Sequence, residues 1–155
     1  MKSIQIAFYI AKHGTILDKL IAFLSSGKYS HAELVFPDGD CFSASCRDKG
    51  TRFKKIDFHP DRWDFITINV CNPEFDKLKD FCLKELGKKY DYLGALGIIL
   101  PLKQSNNKWF CSEIVVSSLQ SINLFVGLKA SSVSPNKLHK ASLDLFISKN
   151  TSARH

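Results

Sequence analysis

Apolar residues recur at every second position at the start of the chain, and in the next segment they recur at the spacing of a helix. From Ile4 to Ile10 every second residue of SIQIAFYIA is apolar, which predicts a β-strand. In the following TILDKLIAFLSSG, apolar residues at i, i+1, i+4, i+5 and i+8 form a stripe along one side of a helix. Thr15 is a suitable cap for this helix, with Asp18 three residues later, and Gly27 ends it.

The middle of the chain contains further short segments with the period of a β-strand. HAELVF and CFSAS are separated by the turn sequence PDGD, so they are predicted to pair as a hairpin. RFKKIDF and WDFITINV alternate in the same way and predict two more strands.

The second half of the chain has helical patterns. A helix is predicted to begin at Asn72–Pro73 and to end at Gly87. DYLGALGIIL predicts a second helix and NNKWF a loop. Residues 111–123 predict a third helix, although the β-branched IVV within them leaves a strand open. A short final helix is predicted from Ser134–Pro135.

This order of elements predicts an α+β fold. A strand, a helix, a group of strands and then helices indicate an antiparallel sheet packed by helices. A chain of 155 residues fits one domain, which we assign to residues 1–148. The polar, aperiodic residues 149–155 are predicted to form a flexible tail.

The net charge of +7 adds a preference for anionic surroundings. It comes from 22 basic and 15 acidic residues, and the basic residues are scattered rather than gathered in a run. Nucleic acid, a membrane surface or a cell-wall polymer would each match this charge, and so would a simple solvated surface. Because only the charge supports nucleic acid, we do not expect a nucleic-acid partner.

The cysteines indicate free thiols rather than a disulfide framework or a metal site. There are five, with no CxxC pair and no zinc-finger spacing of Cys and His. We therefore expect no metal and no other cofactor. The N-terminus lacks the pattern of a signal peptide, and the apolar run YLGALGIILPL is too short to span a bilayer, so we expect a cytoplasmic protein.

One cysteine, Cys111, stands where a helix is predicted to begin. Free N–H groups at a helix N-terminus favour the thiolate form of a cysteine, which is the nucleophilic form. Cys82 falls inside an amphipathic helix and is interpreted as a core residue. Burial as a packing residue is also the simpler interpretation of Cys111, because free cysteines are commonly buried.

His31 is the candidate base for such a thiolate. Strand alternation puts His31 and Glu33 on one face of HAELVF, so this face meets either solvent or a site. A histidine base needs a third group to orient its ring. Two residues are candidates for this orienting group: Glu33, on the same strand as His31, and Ser43, on the next strand. His59 is the main alternative to His31 as the base.

Two segments together resemble a known enzyme family. ELGKKYDYLGALG and the later WFCSEIVVSSL resemble the nucleophile half of NlpC-type papain-like cysteine peptidases, in which a Leu-Gly-x-x-Tyr motif precedes Asp-Cys-Ser and an apolar helix. The matching residues are Leu86, Gly87, Tyr90, Gly94, Cys111 and Ser112. Phe110 replaces the usual aspartate. Because the histidine strand precedes the cysteine, the order resembles the circularly permuted, YiiX-like branch, related to lecithin–retinol acyltransferase-like proteins.

The resemblance implies a fold, an activity and a set of site residues. It implies a papain-like α+β fold, with an antiparallel sheet or small barrel against helices, and a peptidase or amidase activity on peptide amides such as cell-wall peptides. Cys111 would be the nucleophile and His31 the base, oriented by Ser43 or Glu33, and Tyr90 would assist the oxyanion site. A thioesterase or acyltransferase, or an inactive binding module of the same fold, are the alternatives.

Overall fold

A computed structural model describes residues 1–97 and 108–152, which form one sheet with helices around it. The strands are β1 (Lys2–Ile10), β2 (Tyr29–Val35), β3 (Asp40–Ser45), β4 (Gly50–Lys55), β5 (Trp63–Val70), β6 (Lys89–Tyr90) and β7 (Lys108–Trp109). The helices are α1 (Ile16–Leu24), α2 (Asn72–Lys84), α3 (Tyr92–Gly97), α4 (Cys111–Gln120) and α5 (Pro135–Ser152). Short 3-10 turns lie at Ala11–His13, Pro60–Arg62 and Ala130–Ser132.

The strands form a mostly antiparallel sheet in the order β5-β1-β2-β3-β4-β6-β7. Among the strands of the described residues, only the β6–β7 pair is parallel. The predicted α+β class, with an antiparallel sheet and helices, is confirmed. The barrel alternative is wrong, because within the described residues the sheet ends at β5 on one side and at the two-residue strand β7 on the other.

The core lies between one face of this sheet and helix α4. Ile4, Ile6 and Phe8 of β1 are fully buried, as are Leu34 of β2 and Phe42 of β3. These positions follow the two-residue period of the strands, which confirms the alternation predicted for β1 and β2.

Helix α4 covers the centre of the sheet and packs on β2 and β3. Ile114, Val115 and Leu119 are fully buried, so the β-branched segment is helical and the strand alternative is wrong. The helix ends at Gln120, three residues before the predicted end. Asn123 has a left-handed backbone, with a φ of 63°, and this conformation cannot continue an α-helix.

Three segments differ from their predicted structure or extend beyond the described part. Helix α3 is confirmed over Tyr92–Gly97, and residues 98–100 of its predicted span lie outside the described residues. In the predicted loop NNKWF, Lys108–Trp109 instead forms β7, because β6 offers a backbone partner; residues 106 and 107 are not described. The final helix is long rather than short, and its backbone extends to Ser152, into the predicted tail.

Helix α1 is confirmed, but its apolar stripe faces outward. The predicted capping interaction is present: the Asp18 carboxylate accepts the Thr15 N–H at 2.7 Å, and the Thr15 hydroxyl accepts the Asp18 N–H. Ala22 is the one buried residue of the helix. Ile16 and Phe23 are 87% and 79% exposed. The stripe therefore adds nothing to the core.

We predict that two phenylalanines of this chain differ sharply in their effect on stability. Phe42→Ala should lower the free energy of unfolding by about 3–5 kcal/mol, because it leaves a cavity in a packed core. Phe23→Ala should change it by no more than about 0.5 kcal/mol, because that side chain is largely solvated. Urea unfolding measures both, and a large loss in Phe23→Ala would contradict the outward orientation of α1.

Candidate active site

Cys111 is the first residue of α4 and lies at the positive end of that helix. Phe110, the N-cap residue, is 1% exposed and anchors the start of the helix in the core. Its carbonyl accepts the Ile114 N–H at 3.1 Å, the first bond of the helix, so the N–H of Cys111 has no intrahelical partner. Cys111 is 5% exposed. The sequence therefore gives a nearly buried thiol at a helix N-terminus.

His31 lies against Cys111, and its side chain is 21% exposed. Burial alone would lower the pKa of this imidazole. The negative charge and hydrogen bond of Cys111, together with those of Glu33, instead raise the pKa of His31 to about 10. Nε2 is 2.7 Å from Glu33 Oε1, which leaves Nδ1 as the ring nitrogen for Cys111. The His31 ring is thus held between the Cys111 sulfur and the Glu33 carboxylate.

Glu33 is fully buried and is paired on both oxygens. Arg52 donates from Nη1 to Oε2 at 2.7 Å and from Nη2 to Oε1 at 2.6 Å, a bidentate arrangement. Burial opposes ionisation of Glu33, yet Arg52 and His31 lower its pKa below the ordinary value. The Arg52 Nε donates to Asp48 at 2.8 Å, so the guanidinium is itself fixed. The result is a continuous series of contacts, Cys111–His31–Glu33–Arg52.

The register of the sheet brings these side chains to one face. In β2, Ala32 and Leu34 contribute to the core, so His31 and Glu33 point to the opposite face. Tyr9 of β1 is opposite His31. On the same face, the Trp63 ring meets the His31 ring edge-on, with 6.4 Å between the ring centroids.

Ser43 is fully buried and contacts the backbone of β2 rather than His31. Its hydroxyl donates to the Ala32 carbonyl at 2.7 Å. The β2–β3 ladder contains only the pairs Leu34–Phe42 and Val35–Cys41, so this bond joins the strands where the ladder has ended. Of the two residues proposed to orient His31, the structure brings Glu33 to the ring and Ser43 to the neighbouring backbone.

Tyr90 lies close to Cys111, as its position in the sequence motif suggested. Burial and the charge of Cys111 both raise the pKa of its hydroxyl. Gly94, four residues later, is needed for space: a Cβ there would lie 2.6 Å from the Asp91 carboxylate and 3.3 Å from the Phe110 ring. This explains in physical terms why a glycine follows the tyrosine at this spacing.

A cavity of about 500 Å³ opens beside these residues. His31, Glu33 and Tyr90 form part of its wall, and Trp63 and Tyr92 add aromatic surface. Cys111 is not one of the described residues that line this cavity. A molecule in the cavity therefore meets the imidazole and the tyrosine first.

The remaining cysteines and the alternative base have different surroundings. Burial raises the pKa of Cys41 to about 11 and that of Cys82 to about 12, so these two thiols stay protonated. Cys71 is exposed. His59, the alternative base, lines the cavity, but its ring contacts Asp61, and its side chain is 59% exposed.

Arg52 and Glu113 were not predicted as site residues from the sequence. Arg52 pairs with Ser43 across β3 and β4, on the face of the sheet that carries Glu33. The alternation along RFKKIDF could therefore have predicted that Arg52 faces Glu33. Glu113 is 8% exposed, and its Oε2 has no hydrogen-bond partner in the described part of the chain. Burial raises its pKa to about 7. The sequence of α4 alone does not distinguish this carboxyl from an ordinary surface residue of a first helical turn.

Comparison with known proteins adds no assignment: no protein-family model matches the chain, and no curated protein is significantly similar to it. Within residues 1–97 and 108–152, no three His, Cys, Asp or Glu side chains are grouped to hold a metal ion. In the same residues, no helix combines the length and the apolar character needed to cross a membrane.

We predict that Glu33→Gln destabilises the protein by about 3 kcal/mol near neutral pH, because it leaves Arg52 and His31 without their shared anion. The pKa of Glu33 is lowered on folding, so its contribution is present above the ordinary value of 4.5 and is lost as pH falls through the lowered value. The stability difference between wild type and variant should therefore shrink in acid. Urea unfolding across pH measures it, and a difference independent of pH would contradict the ion pair.

Proposed function

We propose that this protein is a cysteine hydrolase that cleaves an amide bond, with Cys111 as nucleophile and His31 as base. The observation that carries this proposal is the contact between Cys111 and a histidine whose other ring nitrogen bonds a buried, arginine-paired carboxylate. A nucleophile, a base and an orienting group in hydrogen-bond sequence are the arrangement expected for nucleophilic catalysis.

The first step is attack by the Cys111 thiolate on the substrate carbonyl. His31 keeps the proton, and Glu33 holds the ring so that Nδ1 faces the sulfur. The sulfur–carbon bond forms as the carbonyl π-electrons move to oxygen. The Cys111 N–H at the start of α4 and the Tyr90 hydroxyl are the groups proposed to bind this oxyanion. One such donor is typically worth about 3 kcal/mol.

The remaining steps form the acyl-enzyme and then hydrolyse it. The carbon–nitrogen bond breaks and the leaving amine takes the proton of His31, which leaves an acyl group on Cys111. His31, now neutral, accepts a proton from water, and the resulting hydroxide displaces the sulfur. Thiolate and imidazolium are restored, so the cycle uses only water and the amide.

The papain-like assignment belongs to the same proposal. The order of a histidine strand before a cysteine helix, in an open sheet covered by that helix, supports the permuted NlpC-type arrangement. Peptide amides, such as those of cell-wall peptides, are the substrate class that the sequence resemblance implies.

A second reaction, cleavage of acyl thioesters or esters, is supported by the apolar part of the cavity. Leu17, Ile21 and Ile56 line it together with aromatic rings. The chemistry at Cys111 would be the same, and only the group bound to the carbonyl would differ. Intact-mass detection of an acyl adduct on Cys111, with peptide amides and acyl thioesters offered separately, distinguishes the two.

We predict that alkylation of Cys111 by iodoacetamide at pH 6 depends on His31. His31→Gln removes the charged ring that bonds the Cys111 sulfur, so it should slow the reaction about a hundredfold. His59→Gln, which changes another cavity histidine, is the matched control and should leave the rate unchanged. Peptide mapping by mass spectrometry gives the rate at each cysteine.

The exposed Cys71 is an internal reference in the same experiment. Neither variant should alter its alkylation rate. If Cys111 follows the same pH dependence as Cys71, and if His31→Gln has no effect, the thiol is not activated. The proposal of a hydrolase would then be wrong, and a binding module of the same fold would remain.

A further inference from the structure

The outward apolar stripe of α1 is a prominent surface feature that the proposed reaction leaves unexplained. Large apolar side chains at i, i+1, i+4, i+7 and i+8 of one nine-residue helix are exposed: Ile16, Leu17, Leu20, Phe23 and Leu24. At 3.6 residues per turn they cover an arc of roughly 120°, directly opposite the buried Ala22. A contiguous apolar surface of this kind on a folded domain marks an interaction site.

The charges of α1 are arranged around this stripe. Asp18, the acidic residue of the helix, is turned away from it: its carboxylate accepts bonds from Thr15 and Ser30 and lies 3.5 Å from Arg47. Lys19 is exposed and flanks the stripe on the opposite side from the cavity. The surface that α1 presents is therefore apolar with one lysine at its border, in a protein with a net charge of +7.

The stripe is also continuous with the mouth of the cavity. Leu17 belongs to the exposed arc and lines the cavity, and Ile21 continues the lining on the same side of the helix. Tyr92, which is 55% exposed, lies on the wall of the same cavity. Whatever covers α1 consequently also meets the cavity opening.

We propose that α1 docks this protein on an anionic lipid bilayer, with its apolar stripe among the headgroups and the cavity opening towards the membrane. An amphipathic helix with aliphatic and Phe side chains on one face and a lysine at its border is suited to lie in a bilayer interface. Anionic lipids attract this lysine and the net positive charge.

The alternative occupants match the surface less well. An antiparallel two-fold contact between copies of α1, centred on the stripe, would bring the two Lys19 side chains to the same side of the contact, and like charges there are unfavourable. A protein partner would be expected to meet Trp, Tyr or Arg anchors, which this stripe does not contain. A bilayer needs only apolar area and positive charge.

Flotation of the full-length protein with vesicles tests the proposal. Vesicles of phosphatidylcholine containing about a third phosphatidylserine should bind it, and vesicles of phosphatidylcholine alone should bind it less. The double variant Ile16→Gln/Phe23→Gln should reduce partitioning at least about tenfold. The matched control Leu83→Gln/Leu86→Gln changes two other exposed leucines and should stay within about twofold of wild type.

Two charge-reversal variants, one on α1 and one on α2, distinguish docking through α1 from adsorption driven by net charge. Lys19→Glu should weaken binding about fivefold or more, whereas Lys84→Glu, at an exposed position on α2, should have a much smaller effect. Cys111→Ala should bind vesicles as wild type does, so failure of the hydrolase proposal and failure of this one are distinguishable.

Three results would overturn the proposal. Equal losses in Lys19→Glu and Lys84→Glu, with no effect of the double variant on α1, would indicate adsorption by net charge alone. Absence of vesicle binding with a dimer that Ile16→Gln/Phe23→Gln dissociates, measured by analytical ultracentrifugation, would assign the stripe to a second copy. Absence of vesicle binding by a monomer would leave only a protein partner.

Discussion

The buried carboxylate of Glu33 is the interaction on which the rest of the candidate site depends. A carboxylate with no exposure to water is strongly unfavourable unless cations neutralise it, and here Arg52 and His31 do so with three hydrogen bonds. This requirement fixes the orientation of the His31 ring and favours its protonated form. The same contacts raise the pKa of the imidazole that lies beside Cys111, which is the feature on which the proposed activation of the thiol rests.

The open sheet is what brings these groups together. Residues 31 and 33 come from one strand, Arg52 from a strand two positions away, and Cys111 from a helix far along the chain. Since each strand sends alternate residues to opposite faces, the core can be built on one face while the charged residues occupy the other. Ser43 stabilises the place where β2 and β3 separate, and so has a structural part in the same arrangement.

Periodicity predicted the helices and most strands because each follows from local spacing. The start of a predicted helix singled out Cys111 and the face of a predicted strand singled out His31, and the family resemblance added Tyr90. The choice between Glu33 and Ser43 needed coordinates, since both lie near His31 in any hairpin and only the path of the backbone decides which reaches the ring. Strand β7 was missed because its partner, not its own sequence, makes it a strand. The stripe of α1 has the pattern of a core-facing helix, and spacing alone cannot tell which way such a stripe faces.

The central claim is that Cys111 and His31 form an ion pair, and the most direct measurement is an NMR titration of the His31 ring nitrogens. In the wild-type protein the imidazolium should persist to a pKa of about 10, and Cys111→Ser should lower that pKa markedly, because the negative charge of the sulfur is removed. A His31 that titrates near its ordinary value of 6.5 in both proteins would contradict the ion pair, and with it the catalytic role proposed for Cys111.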